Sequence, residues 1–104
     1  MTRAEYYEAR YAVWAEYEAQ KKPLWDACIA EVTRLAREFE AARRTLPPPA
    51  GPSYPRAYTA LQADLTVARV EAWNAYKEKM EPIWDAHTAK LIELEKSFTE
   101  ENAK

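Results

Sequence analysis

The sequence predicts an all-α fold: an antiparallel helical hairpin of two homologous, Pro-kinked long helices that dimerises into a four-helix bundle. Three observations predict it. Apolar residues recur at alternating spacings of four and three, one stretch of that pattern echoes another 59 residues later, and a proline-rich segment separates the two. One domain of 104 residues is expected, with a first repeat over about 3–45, a connector over 46–56 and a second repeat over about 57–101.

In the first repeat Tyr7, Tyr11, Trp14, Glu18, Lys21, Trp25, Cys28, Val32, Leu35, Phe39, Ala42 and Leu46 follow one another as the heptad seam of a helix that packs along its whole length. The connector contains TLPPPAGPSYP, with five of the seven prolines and the only glycine. Such a run ends a helix, because proline lacks the amide donor and clashes with the preceding turn. In the second repeat the seam returns as Val70, Trp73, Lys77, Met80, Trp84, His87, Leu91, Leu94 and Phe98. A shift of 59 superposes Trp14 on Trp73, Tyr17 on Tyr76, Pro23 on Pro82, Trp25 on Trp84 and Phe39 on Phe98, within nine identities over 26 gapless positions. An agreement of that density points to a duplicated helix.

Pro23 and Pro82 lie inside these patterns. The flanks EAQKKP and EKMEP carry none of the Gly, Asn, Ser or Asp that usually opens a turn, and the seam passes both prolines without a slip. Continuous, kinked helices of about 40 residues are therefore expected. The alternative is a monomeric four-helix bundle broken at Pro23 and Pro82, with each proline opening a new helix. In the hairpin, residues whose numbers sum to about 103 lie level, which brings Glu18 near His87 for a hydrogen bond, and a salt bridge of Glu18 with Lys77 beside the prolines is a second expectation.

Composition narrows the function. Fifteen basic against seventeen acidic residues leave a net charge of −2, so no overall field draws the chain to nucleic acid or an anionic membrane. Mean hydropathy is −0.63, and no apolar run approaches the ~20 residues of a membrane span. The first twenty residues contain no signal-peptide core, which predicts a cytoplasmic protein, and the Ala, Arg and Glu content suggests a bacterial or phage source. Cys28 is the only cysteine and His87 the only histidine, which leaves no thiolate cluster and no paired E-x-x-H metal motif. No cofactor, no metal site and no catalytic residue are expected, and the chain is read as not an enzyme.

What remains is aromatic. Four Trp, seven Tyr and two Phe are more than one hairpin stripe can cover. The candidate binding residues are Trp14, Tyr17, Trp25, Trp73, Tyr76, Trp84 and His87, with Tyr7 and Tyr11 on the N-terminal turns. Their expected role is an interface with another protein or with a second copy, in a non-enzymatic interaction module acting as adaptor, inhibitor or structural accessory. The alternative is a small-molecule-binding bundle whose aromatic pocket lies near the prolines. Arg34, Arg37, Arg43, Arg44 and Arg56 are read as helix-end charges with interspersed Glu, and the connector as a loop of rigid prolines that needs no reader, with polyproline II recognition as the alternative.

In size and hairpin layout the chain is similar to the small helical-hairpin substrates of type VII secretion. It departs from their pattern at both motifs, since PPPAGPSYP replaces the W-x-G of their turn and no Tyr lies beyond Tyr76 to begin their Y-x-x-x-[DE] signal. The chain is not assigned to them.

Overall fold

A chain rich in Ala, Glu, Lys, Arg and Leu and nearly free of glycine favours helix at almost every position. The computed structural model, which describes residues 1–47, 51 and 53–102, is helical and contains no strand among those residues. Two long helices, α1 (Arg3–Arg43) and α2 (Tyr54–Asn102), pack against each other as a hairpin. Both run without interruption through their prolines, Pro23 and Pro82. The alternative of four short helices broken there is thereby overturned: neither flank supplies a turn residue, and the loss of one backbone hydrogen bond per proline does not outweigh two long propagating helices.

Each helix starts on a chemically defined cap. The Thr2 hydroxyl accepts from the Glu5 amide at 3.1 Å while the Glu5 carboxylate accepts from the Thr2 amide at 3.1 Å. This reciprocal pair satisfies two of the donors that a helix start leaves open. The Ser53 carbonyl accepts the first bond of α2 from the Ala57 amide at 3.1 Å. Tyr54, Pro55 and Arg56, assigned to the connector by composition, are thus the first turn of α2, where the missing amide of Pro55 has no partner to lose. At the other end of α1 the Arg44 to Leu46 amides bond back to Glu40, Ala42 and Arg43 carbonyls. Residues 48–50 and 52, and with them the polyproline reading of the connector, lie outside the described residues.

The helices pack in two compact units, each built from both. One comprises Met1–Trp25 and Lys77–Lys104, the other Asp26–Tyr76. In the first, Tyr6 stacks on Phe98 with centroids 4.4 Å apart, Tyr17 lies on His87 at 4.6 Å and meets Trp84 edge-on at 5.7 Å, and Met80 is buried. Lys90 donates to both carboxylate oxygens of Glu16 at 2.9 Å, and the Met1 ammonium group meets Glu101. In the second unit Cys28 is buried with its Sγ 3.9 Å from the Ala72 carbonyl oxygen, Phe39 meets Tyr58 edge-on, and Tyr54 stacks on Tyr58.

The partner-facing stripe follows the expected seam in one half of α1 and departs from it in the other. From Cys28 onward it is Cys28, Val32, Leu35, Phe39, Ala42 and Leu46, as periodicity places it. N-terminal to that point the covered large apolar residues are Tyr6, Val13, Tyr17 and Leu24, each one position before the expected Tyr7, Trp14, Glu18 and Trp25, while Glu18 and Lys21 of the expected seam are themselves half-buried. In α2 the covered residues include Tyr76 and Ile83, while Val70, Lys77 and Trp84 are exposed. At Val13-Trp14, Leu24-Trp25 and Ile83-Trp84 the aliphatic residue is covered and the indole exposed, since an indole needs more room than two adjacent helices offer along a single line of contact.

Candidate functional site: an aromatic face on the first helix

A one-position offset has a large geometric consequence. At about 100° per residue, Tyr6, Val13, Tyr17 and Leu24 cluster toward α2, and Tyr7, Tyr11, Trp14 and Trp25 fall within an arc of about 60° centred roughly a quarter turn away. Those four side chains are 58%, 67%, 49% and 40% exposed. Tyr11 and Trp14 touch, with centroids 5.7 Å apart and rings tilted by 39°. Basic groups edge the ring systems: the Lys21 ammonium lies 5.8 Å from the Trp25 centroid and the Arg10 guanidinium 5.6 Å from that of Tyr6.

The remaining expected site residues fall into two groups. Tyr17, Trp84 and His87 form a cluster in the same unit, with Trp84 54% exposed and its ring 5.7 Å from His87. Trp73 and Tyr76 belong to the other unit, where they are half-buried and meet edge-to-face at 6.2 Å. The expected contacts of Glu18 are not made. The buried Nδ1 of His87 has no hydrogen-bond partner, and Glu18 pairs with neither His87 nor Lys77 among the described residues. The His87 ring is held instead by the flat faces beside it.

Two open clefts lie along the hairpin. One, about 310 Å³, is lined by Leu35, Glu38, Phe39, Ala42, Leu61, Asp64, Leu65 and Ala68. The other, about 440 Å³, is lined by Met1, Val13, Ala89, Lys90, Glu93, Leu94 and Ser97. Neither of these two draws on a tryptophan. Among the described residues no group of three or more His, Cys, Asp or Glu is placed to hold a metal ion, and no helix is long and apolar enough to cross a membrane.

The basic residues late in α1 are held by carboxylates on the same helix. Arg34 grips Glu31 through Nη2 at 2.5 Å and also reaches Glu38, while Arg43 grips Glu40 at 2.5 Å. These guanidinium groups hold the Glu31 and Glu40 carboxyls below the ordinary value of 4.5, and the Arg34 guanidinium is correspondingly pushed up. Pairs three and four residues apart are the usual way a helix solvates its outer face.

The aromatic stripe was half legible in sequence. Tyr7, Tyr11, Trp14 and Trp25 were recognised as one stripe but read as the seam toward α2. Missed altogether were Tyr6 and Leu24 as the residues that do face α2, and Ile92, which is 60% exposed on α2. Adjacent apolar doublets were the available signal: Tyr6-Tyr7, Val13-Trp14, Leu24-Trp25 and Ile83-Trp84 each offer two stripes about 100° apart.

No family model, no curated protein and no solved structure matches the chain.

Proposed function

We propose that the chain is a non-enzymatic protein–protein interaction module, built from a duplicated helix that bends at Pro23 and Pro82, and that it works as a homodimer in which two hairpins complete a four-helix bundle. The observation that carries this reading is the exposed aromatic stripe of Tyr7, Tyr11, Trp14 and Trp25. At roughly half exposure four such rings leave on the order of 400 Å² of aromatic surface in water. Aromatic surface of that extent along one helix face is what mutual recognition surfaces present, with Tyr and Trp at their centre.

The surface of the whole chain supports the same reading. It exposes 7813 Å², against roughly 6,000 Å² for a compact monomer of this mass. Among the described residues only Cys28 and Met80 are buried apolar side chains, so most apolar residues retain area to lose. An interface of ordinary size removes about 800 Å² from each partner, which the stripe and its flanks can supply. Trp84, the counterpart of Trp25 at a spacing of 59, extends the face: in an antiparallel hairpin of like helices the twofold axis is perpendicular to the pair, so counterparts share a side.

Tyr11→Ala and Trp14→Ala test the proposal. Both positions are exposed and Ala is the best helix former, so helicity measured by circular dichroism is expected to hold. Each substitution is expected to weaken self-association by about 1–2 kcal/mol or more, read by sedimentation equilibrium. Undiminished association in both variants would move the interface elsewhere.

A further inference from the structure

The self-association proposed above leaves open which residues meet, and the stripe itself contains the answer. Tyr7, Tyr11, Trp14, Glu18, Lys21 and Trp25 recur at spacings of four and three, the pattern that keeps one helix face against a second helix along its length. The two charged members lie together in its middle portion, with Trp14 before them and Trp25 after. Glu18 and Lys21 are half-buried already in the single chain, and neither enters an ion pair among the described residues. A charge on an apolar stripe is unfavourable to cover unless the covering surface brings its opposite.

We infer that α1 pairs with α1 of a second copy in antiparallel orientation, about a twofold axis level with the Ala19 to Gln20 peptide, so that Glu18 of each copy meets the partner's Lys21. In that register Trp14 packs on the partner's Trp25, twice by symmetry, and encloses the two ion pairs between indole rings. The competing registers are worse. A parallel pairing sets Glu18 on Glu18 and Lys21 on Lys21. An antiparallel pairing one heptad nearer the N-terminus places Glu18 against Trp14 with no cation, and one heptad further on places it opposite Cys28, which faces into the hairpin. Pro23 lies about 160° round the helix from the stripe and does not intrude. Charged residues within a seam add little stability and much register specificity, which is the role assigned to this pair.

Charge exchange tests the pairing. Glu18→Lys leaves only lysines at the two positions and Lys21→Glu only glutamates, so each variant alone is expected to self-associate about a hundredfold or more weakly than the wild type. An equimolar mixture of the two restores both ion pairs, and a heterodimer with near wild-type affinity is expected, as is a homodimer of the Glu18→Lys, Lys21→Glu double variant. Recovery in the mixture cannot come from misfolded chains, so a folding defect does not imitate it. Single variants that dimerise as tightly as the wild type, or a mixture that stays monomeric, would overturn the pairing while leaving self-association standing. A wild-type chain that is monomeric at every concentration would overturn both.

Discussion

Thr2 and Glu5 show how much one residue can decide at a helix end. The Thr2 hydroxyl and the Glu5 carboxylate each accept from the other's amide, and the bonds to Thr2 hold the Glu5 carboxyl below 4.5. A depressed carboxyl stabilises the folded helix above its unfolded value, and that contribution disappears as pH falls through the lowered one. The first turn of α1 is therefore expected to fray on acidification below about pH 4.5, followed by amide exchange at Tyr6, and Glu5→Gln is expected to flatten that dependence. Thr2→Ala removes the cap at any pH, at a cost of about 0.5–2 kcal/mol of local helix stability. Unchanged exchange in Thr2→Ala would show that the first turn is held by its neighbours rather than by its cap. The cap is T-x-x-E in the opening residues, local chemistry that the reading of the sequence passed over. The setting of His87 is not local: its stacking on Tyr17 and the unpartnered Nδ1 depend on which residues α2 brings beside α1, and no local pattern encodes that.

Helix existence follows from composition and from the prolines of the connector, and both helices are where these place them. Continuity through Pro23 and Pro82 was legible too, from the absence of turn residues in their flanks. Each proline deprives the carbonyl four residues earlier, at Ala19 and Glu78, of its donor. Joint replacement by Ala restores both bonds and is expected to raise the unfolding free energy by about 1–3 kcal/mol per site. A fall in stability would show that the prolines are required for packing. The packing face was legible only in part. Over Val32, Leu35 and Phe39 no second large apolar residue stands beside the seam position, and periodicity fixes the stripe. Over Val13-Trp14 and Leu24-Trp25 two stripes compete, and the larger residues mislead. Ring size against the narrow gap between two helices decides the outcome, a quantity that periodicity does not contain.

For the whole molecule the balance of burial is the governing fact. Two long helices that bury few side chains completely have propagation and partial coverage in their favour but little core, and a chain of this length usually needs more. In the proposed homodimer association would supply the missing burial, so the stability of the folded chain is expected to depend on its own concentration. The same argument explains why hydrophobic residues remain at Val67, Val70, Trp84 and Ile92 on α2, all more than half exposed. The most direct test is the solution mass of the wild-type chain, by multi-angle light scattering across a hundredfold or wider range of concentration. A mass that rises to twice 12.1 kDa is predicted. A mass that stays at 12.1 kDa throughout would contradict the account at its centre.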